Sequence, residues 1–322
     1  MKREKRQAKT IASIGGQALV EGVMMRSPER IYASVRTPDE AIYGEEIKTT
    51  FLKDKYKIFK YPFFRGIGGL IDSMKIGQKA LSISIKKASG IENNEPETKF
   101  EKWLDKNFGD KIMKIVMALS TVLGVGVSMF LFMFLPALLF NVTLGNFSPE
   151  MANSQTVRSM FEGLVKFLIF LGYMIFCSQI KDIKRVFQYH GAEHKTIFCY
   201  EYGDELTVEN VKKCSRFHPR CGTSFVIVML IVGIFIGMFI PFHGSILRTI
   251  IKLLLVPVMA SLGYEIIKIC SKYDNKITRL IATPGLWMQR ISTQEPDDSM
   301  IEVAINSLKA VIPENNEGLQ QI

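Results

Sequence analysis

Cysteine is scarce in this chain, five residues in 322, and tryptophan scarcer, with two. The cysteines (Cys177, Cys199, Cys214, Cys221 and Cys270) fall in or beside segments expected to face a reducing compartment. That excludes a disulfide framework and leaves metal binding, thiol reactivity or plain burial. Phosphate-cradling glycine motifs are missing as well. Gly15-Gly16-Gln17 through Glu21-Gly22-Val23-Met24-Met25-Arg26 has neither the lysine of a P-loop nor the helix-opening pattern of a dinucleotide fold, which argues against nucleotide binding. No repeat of fixed period occurs. Acidic residues are in deficit, 31 against 41 Lys and Arg, for a net charge of +10. No nucleic-acid motif accompanies that excess, so it reads as attraction to anionic lipid head groups rather than to nucleic acid.

What the chain has is apolar sequence in long blocks. Four stretches are long enough to cross a bilayer: Met113 to Val142, Met160 to Ile180, Ser224 to Phe242 and Ile246 to Ile269. The expectation is a mainly α membrane protein with about four transmembrane helices. The basic start (Lys2, Arg3, Lys5, Arg6, Lys9) leads into polar sequence rather than the apolar core of a signal peptide, so the first span is expected to be the first insertion signal. Lys and Arg crowd the segment before the first span and the loop between the second and third. The other two loops hold Arg158 alone. By the positive-inside rule, both termini and the second loop face the cytosol.

Around the spans, residues 1–88 read as a cytosolic α+β unit. Gly15 to Gly22 reads as a loop at a strand, Ile31 to Ile47 as a hairpin turning at Thr37-Pro38-Asp39-Glu40, and Phe63 to Lys87 as an amphipathic helix. The helix carries Ile67, Leu70, Ile71, Met74, Leu81 and Ile85 on one face, placing it at the inner membrane surface or in the cytosolic core. Residues 89–111 read as a polar linker and an interfacial helix with Phe100, Trp103, Leu104 and Phe108, and residues 112–270 as the four-helix region with a His/Cys loop at 181–222. In the C-terminal segment, 271–322, Glu295-Pro296-Asp297-Asp298 is a helix start. An amphipathic helix through Ile301, Ala304, Ile305, Leu308, Val311 and Ile312 follows, expected to dock on the N-terminal unit, with a disordered end from Pro313.

The chemistry concentrates in the His/Cys loop. His190-Gly-Ala-Glu193-His194 and His218-Pro-Arg-Cys221 put three of the four histidines, a carboxylate and a thiol in one segment. The stripe Ile180, Ile183, Phe187, His190, His194, Ile197 continues the second span, so an i, i+4 pair sets two imidazoles side by side at a spacing suited to one divalent ion, zinc above all. The order H-x-x-E-H matches the inverted zinc-protease motif, in which the glutamate activates water. His190, His194 and either Cys221 or His218 form the expected ligand set, with Glu193 as general base or fourth ligand. Open alternatives are two buried, hydrogen-bonded histidines; a structural zinc on Cys199, Cys214, His218 and Cys221; a Cys221 nucleophile at a helix N-terminus near Arg216 and Arg220, with His218 or His190 as base; and a phosphate or lipid head group at that helix end. Glu265, inside the fourth span, is a candidate carboxylate for the site or an i, i+3 partner of Lys268. Glu21 and Arg26 read as an ion pair or as lining of a site, and Gly233 with Gly237 as a close-packing pair.

Five segments together carry a family resemblance: GGQALVEGVMMRSP from Gly15, FFRGIGGLIDSMKIGQKAL from Phe63, YHGAEHKTIFCYE from Tyr189, HPRCGTSF from His218 and GLWMQRISTQEPDDSMIEVAI from Gly285. With these the chain resembles domain-of-unknown-function family 1385, bacterial integral membrane proteins labelled predicted metal-dependent enzymes. The resemblance implies a bacterial plasma-membrane protein with a metal site at His190, Glu193, His194, His218 and Cys221. A hydrolase or transferase acting on a membrane-associated substrate is the leading reading. A non-enzymatic assembly or scaffolding factor with a membrane-embedded partner protein is the alternative, and a transporter a third.

Overall fold

Alternating side chains near the N-terminus build a four-stranded antiparallel meander, β1 (Gly15–Leu19), β2 (Gly22–Arg26), β3 (Ile31–Arg36) and β4 (Ile42–Glu46), in the order β1-β2-β3-β4. The expected hairpin is β3–β4, closed by the Thr37 amide on the Ala41 carbonyl at 3.0 Å. The tight β1–β2 turn puts Glu21 at φ 50°, where a non-glycine residue is strained. The computed structural model describes residues 14–90, 119–148, 150, 153–219, 221–242, 244–273 and 275–313. The N-terminal basic run, nearly all of the 89–111 linker and interfacial helix with its Trp103 stripe, the first residues of the first expected span, Arg220 and the end beyond Pro313 lie outside them.

The chain divides into two compact units, residues 1–90, 174–228 and 260–322 in one and residues 91–173 and 229–259 in the other. In the first, helix α1 (Phe64–Ala88) packs on one sheet face, Ile76 and Ala80 meeting Leu19, Met24, Ile31 and Ala33. Its buried side is mostly small, Gly66, Gly68, Gly77, Ala80 and Ser84, and the expected apolar face points outward, with Ile71, Met74, Leu81 and Ile85 exposed. Small residues let the helix approach the sheet closely: a Cβ on Gly77 would sit 2.8 Å from the Gln17 Oε1.

Helix α2 (Leu119–Val142) and helix α3 (Gln155–Gln179) are long and apolar enough to cross a membrane. Of the other two expected spans, the third is the 16-residue helix α6 (Gly222–Gly237), about 24 Å long, short of a hydrocarbon core of about 30 Å. The fourth is broken by 49° between α7 (Ser245–Leu254) and α8 (Val256–Lys272). Among the described residues there are thus two spanning candidates, or three if the bent pair counts as one. Within the second unit α3 and α6 approach closely, Gly163 taking the Ile234 side chain and Gly237 facing Ser159.

The expected continuous helix through span two and the histidines is interrupted. Ile180 is extended at ψ 125°, and a separate helix α4 (Lys181–Tyr202) begins there, so the first half of the expected His/Cys loop is helical. After α4 come the short α5 (Val208–Lys212), then, beyond α8, an unforeseen α9 (Lys276–Ser292) with Asn275 and Thr278 forming its capping box, and α10 (Asp298–Lys309). The α10 N-cap is Asp297, accepting from the Met300 amide at 2.9 Å. Helix α10 docks on the second sheet face and on α4, where Met300, Ile301, Ala304 and Leu308 join Val23, Met25, Tyr189 and Ala192 in one core.

Candidate metal centre

Helix α4 sets His190 and His194 one turn apart, their ring centroids 4.4 Å from each other. Cys221, just ahead of α6, brings its Sγ to 3.3 Å from the His190 Nε2. The two imidazoles and the thiol place their ligand atoms within 4.8 Å of one another. A tetrahedral zinc with ordinary bond lengths separates its nitrogen and sulfur ligands by about 3.6 Å, so the spacing suits that ion. Glu193 adds its Oε2 at 3.8 Å from the His190 Nε2 and 3.6 Å from the His194 Nε2.

The outer contacts decide which atoms face inward. Nδ1 of His190 lies 2.8 Å from the Ser292 carbonyl, and Nδ1 of His194 lies 2.6 Å from the Arg216 carbonyl. A carbonyl only accepts, so each Nδ1 carries the proton and each Nε2 is left with a free lone pair. The Cys221 sulfur accepts from the Thr223 hydroxyl at 3.3 Å and the Thr223 amide at 3.5 Å, the place an N-cap oxygen usually fills.

Burial sets the electrostatics. It raises the Glu193 carboxyl above the usual carboxylate range, against the opposing pull of His190, His218 and the Gly16 amide. It lowers His194, against its contact with Cys221, and pushes His218 down to about 4, against Glu193. His194 and His218 are therefore held neutral, the form in which histidine binds a metal. Gly16 is what admits the carboxylate: a Cβ there would stand 2.7 Å from the Glu193 Cγ.

Of the expected site residues, His190, Glu193, His194 and Cys221 are brought together. His218 is buried beside them, its ring 5.6 Å from that of His194, but its Nε2 faces Glu201 at 3.5 Å and the ring lies against Phe198. Cys199 and Cys214 bond to the backbone near Asp204, Glu205 and Asn210, so the four-ligand set including them does not assemble. Glu265 is held by both nitrogens of a guanidinium fork, Arg65 Nε donating at 2.6 Å, a partner on α1 rather than Lys268. Glu21 pairs with Arg185, 2.5 Å, and with the Tyr189 hydroxyl, not with Arg26, whose guanidinium lies over the Phe51 ring.

Sequence reasoning missed Ser292 and Gln289 and weighed Arg216 only as a charge near Cys221. Ser292 and Arg216 act through backbone carbonyls, which leave no trace in residue type. Gln289 accepts from the His218 amide and donates to the His218 carbonyl, both at 2.7 Å, and the buried amide within an apolar helix was the available signal.

A profile of the family described as "Protein of unknown function (DUF1385)" matches residues 61–314. The chain belongs to that family. It is also 36% identical over 299 residues to "Uncharacterized protein YqhQ" of Bacillus subtilis (strain 168), covering 92% of each chain. No solved structure matches it. The DUF1385 segments quoted from the sequence include those that supply His190, Glu193, His194 and Cys221.

Proposed function

We propose that this DUF1385 protein is a multi-pass plasma-membrane protein, both termini cytosolic, holding a divalent metal, zinc by its donor set, and acting as a hydrolase or transferase on a membrane-associated substrate. Membrane insertion is supported by the apolar side chains that α2 and α3 leave exposed, among them Leu119, Val122, Leu123, Leu164, Leu168 and Phe176. Water tolerates no such continuous apolar surface. The cytosolic placement rests on the Lys and Arg distribution.

The observation that carries the metal reading is the pairing of each inward Nε2 with an Nδ1 already donated to a backbone carbonyl. That arrangement orients a ligand before the ion arrives and makes it a better donor. His190, His194 and Cys221 would hold the ion. A divalent ion there supplies Lewis acidity toward an oxygen of water or substrate. Glu193, buried and with a raised affinity for protons, is placed to take a proton at Oε2 and return it to a leaving group. The Gly16 amide holds that carboxylate in position.

The test is elemental analysis of the detergent-purified protein beside a His190→Ala/His194→Ala variant. The expected result is one equivalent of metal per chain in the wild type and loss of at least about 100-fold in affinity in the variant. Equal metal in both, or none in a wild type whose variant folds normally, overturns the enzyme reading and leaves an assembly or scaffolding role.

A further inference from the structure

Within the described residues of the second unit there are four Lys or Arg side chains, and all four gather at one place. Arg158, Glu162 and Lys166 succeed one another at i, i+4 and i+8 along α3, and Arg248 and Lys252 stand at i, i+4 on α7. Arg158, Glu162, Arg248 and Lys252 are 1 to 5% exposed, and the unit's other described residues are mostly apolar. Glu162 is the single carboxylate of the group. It receives Arg158 Nε at 2.9 Å, Arg248 Nε at 3.3 Å and the Lys252 amine. The Lys166 amine lies beside that of Lys252 and within the field of Glu162 and Arg248.

Among the described residues, four cations gather around one carboxylate, an excess of three positive charges. Each buried charge costs several kcal/mol unless paired, so the excess needs an explanation. Part of it is structural: the Arg248 guanidinium donates to the Gly237 carbonyl at 2.9 Å and the Ile240 carbonyl at 3.0 Å, at the C-terminal end of α6, and to Ser159 and Gln155. Arg158 also lies over the Phe140 ring at 5.1 Å. Among the described residues no such partner set accounts for Lys166 and Lys252, two neighbouring amines of which Lys252 makes the ion pair with Glu162.

We propose that this cluster is an anion site in the apolar unit, taking a phosphate-type oxyanion against Lys252 and Lys166, with Arg158 and Arg248 as the fixed positive frame and Glu162 as the group that keeps the frame together when the anion is absent. Lysine amines bind phosphate as point charges on flexible stems, and the two here present them from different helices. The phosphate can be that of a lipid head group or of a free ion. The site involves neither the His/Cys group nor any residue of the first unit.

The test uses full-length protein in a neutral detergent, its thermal unfolding followed while either inorganic phosphate or phosphatidylglycerol is titrated, with chloride at equal ionic strength and phosphatidylcholine as the respective controls. Saturable stabilisation by one or both probes is expected, and which one acts identifies the source. Lys252→Met and Lys166→Met each weaken the apparent affinity about tenfold. Lys252→Arg retains it, and Glu162→Gln binds phosphate more tightly than wild type because a competing negative charge has gone. His190→Ala/His194→Ala leaves the titration unchanged, which separates this site from the metal centre. If neither probe stabilises the wild type beyond its control, or if Lys166→Met and Lys252→Met titrate as wild type does, the proposal fails. A Glu162→Gln variant that folds but binds no more tightly also counts against it.

Discussion

At the scale of single residues, His218 shows what burial beside the candidate metal ligands does to a titratable group. Its imidazole is pushed down to about 4 by burial, from 6.5 in an unfolded chain. A histidine with a lowered folded value binds fewer protons folded than unfolded, so its contribution to stability is intact above about pH 6.5 and is lost as the pH falls toward 4. Metal-free protein is therefore expected to lose up to about 3 kcal/mol over that window from this residue. Glu193, raised by burial, works in the opposite direction, so the comparison must be made by difference. His218→Gln is predicted to have a shallower fall in melting temperature between pH 6.5 and pH 4 than wild type, measured in chelator-treated protein. Parallel curves would mean that the ring is solvated or charged in the folded state. The residue was legible in sequence as part of the His/Cys segment. Its orientation was not, because the partner that claims its backbone, Gln289, lies 71 residues away.

At the scale of elements, the fit between α4 and the segment leading into α10 decides whether the histidines face correctly. Gln294 donates its amide to the Phe187 carbonyl at 2.8 Å, Arg216 binds the Thr293 carbonyl, and Lys195 pairs with Glu295 at 2.8 Å. These contacts run the segment along α4 so closely that a Cβ on Gly191 would overlap the Gln294 carbonyl oxygen. Gly191→Ala on an unobstructed helix would stabilise by about 1 kcal/mol through helix propensity. Here the sign reverses. The variant should lose about 1–3 kcal/mol and roughly 10- to 100-fold in metal affinity, because displacing the segment withdraws the Ser292 carbonyl from His190. Thermal melts and metal titration check both numbers, and a stabilised variant with wild-type affinity would show that the segment is not tied to the site. Periodicity and turn residues revealed the β3–β4 hairpin and the start of α10, whereas β1 falls on the Gly15 to Gly22 stretch that reads as a loop at a strand. Periodicity found α1 to within a residue at each end but not its core-facing side, which is mostly glycine, alanine and serine while Ile71, Met74, Leu81 and Ile85 face out. It also passed over α9, whose interior Pro284 disguises a helix, and the break at Ile180, where no glycine or proline marks the extended residue. Charges inside the apolar blocks were visible at Glu162, Lys166, Arg248 and Lys252, but only the folded chain brings them into one group.

At the scale of the molecule, the core of the first unit is assembled from three stretches far apart in sequence. The sheet contributes Val23 and Met25, α4 contributes Tyr189, Ala192 and Ile197, and α10 contributes Met300, Ile301, Val303, Ala304 and Leu308. Side chains of α10 also bond the sheet backbone and edge: the Ser307 hydroxyl accepts from the Met25 amide at 3.1 Å and donates to the Tyr32 carbonyl at 2.8 Å, and Asn306 accepts from Ser34 at 2.9 Å. Neither sheet nor α4 can bury its apolar face until the last helix arrives, so closure of this core involves contacts of very long sequence separation and is slow. The metal site depends on the same closure, since Tyr189 and Ala192 flank the histidines in α4. Leu308 is fully buried, and Leu308→Asp places a charge there with no partner, a cost of several kcal/mol on top of the lost packing. The expected outcome is protease sensitivity in residues 14–90 together with loss of most bound metal, although residue 308 touches no ligand. Among the described residues none of α2 or α3 belongs to this core, so the variant should still fractionate with membranes. Retention of metal and wild-type protease resistance in Leu308→Asp would show that the site is held by α4 and its neighbours without the C-terminal helix. Loss of metal with intact membrane association would instead assign folding of the first unit to a step after insertion.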